Sequence, residues 1–308
     1  MTHQATTDQV NPQNHPGKDV YAVIGNPIAH SKSPIIHAFF AKQTNQAIHY
    51  GRIFSELNSF KETANQFFAD GGKGLNITVP FKLEAYELAQ KKTARAELAK
   101  AANVLWFKDG QLWCDNTDGV GLTRDLQRLL KRQQSSLKNA KVLILGAGGA
   151  AQGVIDPLMV EKVSQITIAN RTFEKAQQLV EQFKESAASA QVSLQAIDIQ
   201  QLGEIKCEAN EAFDLIINAT ATGLGDTSPI SKEQLKAIAT AKTLAYDMVY
   251  GKDTRFMRDA KELGLKASDG LGMLVEQAAV AFEAWRDLND GQTQLDIDGA
   301  IAAVRATY

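Results

Sequence analysis

The sequence predicts an α/β fold of two domains. Its 308 residues exceed the usual size of one domain, and 44% of them are hydrophobic, which is enough for two cores. The first half alternates short strands with helices and then adds a hairpin, which indicates a mixed sheet. The second half has a βαβαβ order around a glycine-rich turn, which indicates a doubly wound Rossmann domain. We therefore expect one domain at residues 19–118 with 275–308 and the other at residues 119–274.

Composition excludes several classes of protein. The formal net charge is −2, so no strongly basic surface for nucleic acid or anionic lipid is expected. No apolar run is long enough to span a bilayer, and the polar residues 1–18 are predicted to be a disordered tail without a secretory signal. Cys114 and Cys207 lie far apart, which argues against a disulfide and fits the cytoplasm. The scattered histidines predict no metal site.

Strands and turns of the first half follow in order. The run VYAVIG predicts a strand, and SPIIHAFFAKQTN predicts a helix with Ser33 as its N-cap. HYGRIF is a second strand, and FKETANQFFADGG is a helix closed by glycines. GLNITVPFK is predicted as a third strand, with Thr78 and Lys82 on one face, Ile77 and Val79 anchoring it on the other, and Pro80 as its stop. Two apolar runs around Asp109-Gly110 predict a hairpin.

The second half opens with the turn GAGGAA after a buried strand. Gly146 allows the tight turn, Gly148 allows close approach of a pyrophosphate, and Ala151 lets the following helix pack on the strand. The alternative is a glycine-rich turn without a ligand, which the strand and helix around it make the weaker interpretation. QITIANRT and the continuous apolar runs FDLIINAT and TLAYDMVY predict further parallel strands.

Residues after the second strand of this domain indicate the nucleotide. NAD-binding proteins usually carry an acidic residue there, whereas this chain has Asn170-Arg171-Thr172 and then Lys175. A carboxylate is absent where one would repel a 2′-phosphate, and a guanidinium is present to bind it, so NADP is predicted. The alternative is that Arg171 is an ordinary solvated charge.

Hydride transfer to a carbonyl also needs a proton donor. Lys82 stands just past the Pro80 stop, and Asp118 lies in DNTDG after the hairpin. Both are expected at element ends near the domain boundary, where clefts form. Most lysines and aspartates are nevertheless solvated surface charges, so spacing alone ranks this pair low.

The motifs together resemble the shikimate dehydrogenase family. GNPIAHSKSP, NITVPFK, DNTDG, GAGGA, NRT, NAT, YDMVY and DGLGMLVEQAA have that family's order and spacing, and the resemblance covers nearly all of the chain after residue 18. It implies NADPH-dependent reduction of 3-dehydroshikimate to shikimate, with the active site in a cleft between a substrate domain and an NADP domain, by a monomer or homodimer.

The resemblance also implies roles for individual residues. Lys82 matches the catalytic lysine and Asp118 its partner carboxylate. The substrate carboxylate is matched by Ser31 and Ser33, and the ring hydroxyls by Thr78, Asn103, Tyr250 and Gln277. The pyrophosphate turn corresponds to Gly146, Ala147, Gly148, Gly149 and Ala150; the 2′-phosphate site to Asn170, Arg171, Thr172 and Lys175; and the nicotinamide site to Met248 and Gly270.

Several of these residues also fit a purely structural role. Ser33 could serve only as a helix cap, Gln277 as a surface residue, and Tyr250 as core packing. Lys175 stands where the family often has arginine, and Val104 replaces a frequent threonine beside Asn103. Two other functions remain open: a quinate/shikimate dehydrogenase that prefers NAD, and a non-catalytic nucleotide sensor.

Overall fold

The computed structural model describes residues 10–204, 212–288 and 293–308. Within it the chain forms two units, Met1–Gly121 with Val275–Tyr308 and Leu122–Leu274. The chain passes from one unit to the other inside helix α5 (Asp118–Arg132) and inside helix α10 (Leu271–Arg286). None of the helices among the described residues is long and apolar enough to cross a membrane.

The first unit contains a mixed sheet with the order β2-β1-β3-β5-β6-β4. Strand β1 pairs in parallel with β2 and β3, whereas β5 is antiparallel to both β3 and β6. Its elements are β1 Asp19–Gly25, α1 Ser33–Gln43, β2 Ile48–Phe54, α2 Phe60–Ala69, β3 Gly74–Ile77, α3 Lys82–Leu88, β4 Lys91–Lys92, α4 Ala94–Ala99, β5 Val104–Lys108, β6 Gln111–Asp115 and, after α10, α11 Ile297–Arg305.

The predicted hairpin joins β5 to β6. Asp109 and Gly110 both have positive φ, 52° and 72°. Two consecutive positive values match the twist of a two-residue hairpin, which is why Asp-Gly favours this turn. On one side of the sheet, buried side chains of β1, β3 and β5 pack with those of α2 and α3, including Ile24, Leu75 and Ala85. The mixed sheet predicted for this half is confirmed.

The second unit contains a parallel sheet with the order β12-β11-β10-β7-β8-β9. Read from β9, this is the 3-2-1-4-5-6 order of the doubly wound fold, as predicted. Buried residues form cores on both faces. Its elements are β7 Lys141–Leu145, α6 Gly149–Val160, β8 Gln165–Asn170, α7 Phe173–Ala190, β9 Ser193–Asp198, β10 Leu215–Asn218, α8 Lys232–Ile238, β11 Leu244–Asp247, α9 Arg255–Glu262 and β12 Lys266–Asp269.

The disordered tail predicted for residues 1–18 is wrong for residues 10–18. Val10 donates its N–H to the carbonyl of Arg52 at 3.3 Å, and Pro12–Asn14 form a short 3₁₀ helix in which Pro12 is buried. The segment is polar but it lies against β2, where Val10 packs on Gly51. Residues 1–9 and Cys207 lie outside the described residues, and Cys114 is a buried free thiol. The domain boundaries expected from the sequence stay a prediction.

Candidate active site

Lys82 and Asp118 form an ion pair in the first unit. Lys82 Nζ lies 2.6 Å from Asp118 Oδ2, and the two side chains are 33% and 27% exposed. Each is therefore sheltered from bulk solvent and still accessible to a ligand. A cation next to a carboxylate that fixes its position is a suitable group to give a proton to a carbonyl oxygen.

Lys82 is placed by a turn and a helix, and the strand predicted to carry it is shorter than expected. Strand β3 ends at Ile77, Phe81 N donates to Thr78 O at 3.1 Å, and Lys82 is the first residue of α3. Phe81 anchors this turn, since its ring is fully buried and stacked 5.1 Å from Phe60. Val79 is 66% exposed, so its predicted role in anchoring the strand is wrong. The Val79–Pro80 peptide is cis.

The other oxygen of the aspartate is held by Asn103. Asn103 Nδ2 donates to Asp118 Oδ1 at 3.0 Å and also lies 3.2 Å from Gln277 Oε1. Thr117 accepts from the same amide at 2.9 Å and donates its hydroxyl to the main-chain oxygen of Gln277 at 3.0 Å. Asn103 and Gln277 are buried, 2% and 8% exposed. The structure thus brings together Lys82, Asp118, Asn103 and Gln277, which are distant in sequence.

A glycine permits this approach of α10. A Cβ atom at Gly121 would lie 2.7 Å from both the Cβ and the backbone nitrogen of Gln277, closer than real Cβ atoms come to such atoms. Any larger residue at 121 would push Gln277 away from Asn103. The glycine of DNTDGVG therefore contributes to the site through close backbone packing.

Ser31 and Ser33 adjoin each other at the start of α1. Ser33 is the first helical residue and Lys32 occupies the cap position without a side-chain cap bond, so the prediction of Ser33 as N-cap is wrong. Ser31 Oγ accepts from Ser33 N and donates to Ser33 Oγ, both at 3.3 Å. Arg52 donates to the carbonyl of Ser31 at 2.6 Å and fixes this loop. Ser31 therefore has the local structural role that the sequence suggested for Ser33.

A buried polar group lies behind these serines. Tyr50 OH donates to Asn76 Oδ1 at 2.7 Å, and His37 Nε2 lies 3.1 Å from the same oxygen. Burial raises the pKa of Tyr50 well above its usual value, against the opposing effects of a hydrogen bond from Ser33 and the charge of Arg52. Burial lowers the pKa of His37 to about 3, so this histidine is neutral at physiological pH and is an unsuitable general base.

Thr78 follows β3 directly. Its N–H donates to Ile24 O at 3.0 Å. Its methyl carbon packs against Gly25, where a Cβ atom would lie only 2.4 Å from it. Within the described part of the chain, no other group makes a hydrogen bond to the Thr78 hydroxyl. Its backbone is fixed while its hydroxyl is available to a ligand.

The glycine turn of the second unit has the geometry expected of a phosphate loop. Gly146 has φ +107°, a value that favours glycine, and its N–H donates to Ala169 O at 2.8 Å. A Cβ at Gly148 or Gly149 would meet no atom within 4 Å, so the space in front of the turn is open. Helix α6 begins at Gly149. The free N–H groups of its first turn, together with the turn from Ala147 to Ala150, suit the negative charge of a pyrophosphate. Ala151 is fully buried against the core, as predicted.

Exposed cations follow β8. Asn170 ends this strand and donates to the main-chain oxygen of Thr172 at 2.8 Å, which closes a tight turn around Arg171. Thr172 is at the N-cap position of α7 without a side-chain cap bond. Arg171 and Lys175 are exposed, and neither has an ion-pair partner in the part of the chain that the structure describes. Two uncompensated cations beside this turn fit a phosphate group.

Met248 and Gly270 are adjacent in space. A Cβ at Gly270 would lie 2.4 Å from the carbonyl oxygen of Met248, and Gly270 N donates to Val249 O at 3.3 Å. Beneath them, the buried carboxylate of Asp247 accepts from Asn218, Thr254 and the N–H of Val249. Burial is the main cause that raises the pKa of Asp247, and the hydrogen bonds from Thr254, Val249 and Asn218 oppose it. Tyr250 is 37% exposed, which excludes a purely core role.

Sequence reasoning missed three polar residues of the first unit. Thr117 links Asn103 to Gln277, Asn76 joins Tyr50 to His37, and Arg52 holds the Ser31 carbonyl. Thr117 and Asn76 stand inside the motifs DNTDG and NITVPFK, so their neighbours could have drawn attention to them. Arg52 lies in a strand with no such motif, and only the register of β1 and β2 brings it near the serines.

Comparison with known proteins matches nearly the whole chain. The family model described as shikimate dehydrogenase substrate binding domain matches residues 23–105, that of shikimate/quinate 5-dehydrogenase residues 128–249, and that of the shikimate 5′-dehydrogenase C-terminal domain residues 270–288. The shikimate dehydrogenase (NADP⁺) of Cupriavidus taiwanensis is 48% identical over 87% of this chain and 88% of its own length. That of Vibrio campbellii is 48% identical over 90% of this chain and 94% of its own.

A solved structure matches as well. The shikimate 5-dehydrogenase of Thermus thermophilus, in complex with NADP(H) and shikimate, has a TM-score of 0.76 and 30% sequence identity. The match covers 94% of this chain and 100% of the Thermus thermophilus chain. The similarity therefore extends over both units.

Proposed function

Because this chain belongs to the shikimate dehydrogenase family, we propose that it catalyses the reversible NADPH-dependent reduction of 3-dehydroshikimate to shikimate. The observation that carries this proposal is the 2.6 Å pair of Lys82 and Asp118. It supplies a positioned proton donor among polar groups suited to a hydroxylated ring. We further propose that the product serves the synthesis of aromatic amino acids.

NADPH, when bound, supplies the hydride that the carbonyl carbon receives. The Lys82 ammonium donates a proton to the carbonyl oxygen as negative charge develops there, and takes it back from the hydroxyl in the reverse direction. Asp118 orients the ammonium through Oδ2 and is itself held by Asn103 through Oδ1. The proton donor and the carboxylate that orients it are thereby fixed before the substrate arrives, which lowers the cost of alignment.

We assign the substrate carboxylate to Ser31 and Ser33 and the ring hydroxyls to Thr78, Asn103, Asp118, Tyr250 and Gln277. The serine hydroxyls are adjacent, and the Arg52 cation on the Ser31 carbonyl adds positive potential for an anion. The buried amides of Asn103 and Gln277 would lose a partner with an analogue that lacks a hydroxyl, so they favour a polyol ring.

The residues of the second unit fit NADP. The open turn with Gly146, Ala147, Gly148, Gly149 and Ala150 would hold the pyrophosphate, and Asn170, Arg171, Thr172 and Lys175 would hold the 2′-phosphate. Met248 and Gly270 would border the nicotinamide. The uncompensated charges of Arg171 and Lys175 support NADP over NAD. Strand β8 ends in Asn170, and not in the acidic residue that would bind the ribose hydroxyl of NAD.

Location and assembly follow as smaller proposals. A cytoplasmic enzyme fits the pathway and the free thiol of Cys114. A monomer or a homodimer would suffice, because the proposed catalytic and substrate groups all come from one chain. We also propose residues 19–118 with 275–308 as the substrate domain and residues 119–274 as the NADP domain.

The test is the turnover of the purified protein with shikimate or quinate, each with NADP⁺ or NAD⁺. The proposal predicts the highest kcat/KM for shikimate with NADP⁺. A preference for quinate with NAD⁺ would favour the alternative dehydrogenase. Nucleotide binding without turnover of either acid would favour a sensor, although the presence of Lys82 and Asp118 argues against that class.

A further inference from the structure

The carboxylate of Asp115, three residues before Asp118, is buried in a set of donors. Arg95 contacts it with two nitrogens, Nε at 3.1 Å from Oδ1 and Nη2 on Oδ2. Thr93 Oγ1 donates to Oδ1 at 2.5 Å, and the N–H of Asn116 donates to Oδ1 at 2.7 Å. The Asp115 side chain is 2% exposed and that of Arg95 is 48% exposed. This planar, two-point contact fixes the carboxylate in orientation as well as position.

Asp115 is connected by hydrogen bonds to both groups that hold Asp118. Asn116, fixed through its N–H, accepts from the N–H of Asp118 with its side-chain oxygen at 3.1 Å. The main-chain oxygen of Asp115 accepts from the N–H of Asn103 at 3.0 Å. Asn103 in turn donates to Asp118 Oδ1. The turn that presents Asp118 to Lys82 is therefore anchored at Asp115 from two directions.

The same turn is closed on its far side. Asn116 Nδ2 donates to Ala101 O at 3.1 Å, and the N–H of Ala102 donates to the carbonyl of Lys82 at 2.8 Å. Displacement of the Asp115 carboxylate would thus be transmitted to the backbone of both catalytic candidates. Arg95 itself touches neither of them, so its effect would be indirect.

We propose that Arg95 is a positioning residue for the proton-transfer pair: its two bonds to Asp115 set the orientation of Asp118 and hence of the Lys82 ammonium. This inference rests on the proposed function. Arg95 lies half-exposed in the first turn of α4. Its exposure alone would indicate a surface ion pair that contributes little to stability, whereas the inference gives it a role in turnover.

The test compares Arg95→Met with Arg255→Met in the full-length chain. Arg255 is a matched control, since it is 53% exposed and pairs at 2.8 Å with Asp259, which is 5% exposed. For Arg95→Met we expect kcat for shikimate oxidation to fall by about 10-fold, because misplacement of about 1 Å can cost up to 100-fold. KM should change less than kcat, and the solvent deuterium isotope effect on kcat should rise as proton transfer becomes slower. Arg255→Met should leave kcat and the isotope effect at their wild-type values.

Two milder variants cover the case in which Arg95→Met does not fold. Arg95→Lys keeps the cation and loses the two-point contact, and Thr93→Val removes one donor to Oδ1. Both should lower kcat by less than the methionine variant and raise the isotope effect in the same direction. Wild-type kcat and isotope effect in the folded variants, or equal losses in Arg255→Met, would overturn the inference and leave the proposed function intact. Absence of shikimate turnover in the wild type would overturn both.

Discussion

Asn103 donates to Oδ1 of Asp118 at 3.0 Å, on the opposite oxygen from the one that Lys82 contacts. The carboxylate therefore cannot rotate without breaking one of the two bonds. Since Asn103 is 2% exposed, water does not readily replace it. Asn103 therefore fixes the orientation of the Asp118 carboxylate, and through it the position of the partly exposed Lys82 ammonium.

Substitution of Ser31 and Ser33 should show whether these serines bind the substrate. Both Ser31→Ala and Ser33→Ala should raise KM for shikimate more than they lower kcat, because the carboxylate they would bind keeps its charge during the reaction. Ser31→Ala should also lower the free energy of unfolding, by about 0.5–2 kcal/mol, since Ser31 Oγ accepts from Ser33 N. Kinetics and urea unfolding of the two variants test this. An unchanged KM in both would exclude the serines from the substrate site.

Arg171 should decide between the two nicotinamide cofactors. A charge-assisted hydrogen bond contributes roughly 1.5–3 kcal/mol, so Arg171→Ala should weaken NADP binding by about 10–100-fold and leave NAD binding nearly unchanged. Lys175 would keep the loss near the lower end. Asn170→Asp should shift preference further toward NAD by opposing the phosphate. Lys184→Ala, another exposed cation of α7, is the control. Equal losses for both cofactors in Arg171→Ala would mean that the arginine is structural.

His37 should make the first unit less stable in acid. Its pKa is about 3 in the folded chain because it is buried, against an ordinary value of 6.5. Between these values the unfolded chain binds the extra proton, so stability is lost as the pH falls below about 6.5. Going from pH 7 to pH 5 should cost about 2 kcal/mol from this residue.

His37→Gln should reduce that loss, since glutamine keeps an amide donor for Asn76 and cannot titrate. Urea unfolding followed by tryptophan fluorescence reports on this unit, because Trp106, Trp113 and Trp285 all belong to it. The same pH dependence in the variant and the wild type would show that His37 is protonated at little cost.

Much of the fold followed from local patterns. The doubly wound order of the second unit was predictable because its buried strands are continuous apolar runs and its glycine turn stands between a strand and a helix. The Asp109-Gly110 hairpin was predictable because the turn type demands those residues. Such signals act within a few residues of each other along the chain.

What could not be predicted depends on contacts distant in sequence. Val79 follows the alternation of β3, yet the chain turns after Ile77 because buried Phe81 docks on Phe60. Helix α1 begins at Ser33 because Ser31 accepts its N–H, a bond that depends on how Arg52 holds the loop. Asn103 and Gln277 meet only because Gly121 allows close packing. The roles of the individual site residues stay predictions.

The role of Lys82 as proton donor is best tested by the turnover of Lys82→Ala with shikimate and NADP⁺, together with its dissociation constant for NADPH. We expect kcat to fall by about 10²–10⁴-fold, the usual contribution of a general acid–base group. NADPH affinity should stay at the wild-type value, because the proposed cofactor residues belong to the second unit. Lys108→Ala, an exposed lysine of β5, should match the wild type in both quantities. A kcat near the wild-type value in Lys82→Ala would show that Lys82 does not transfer the proton.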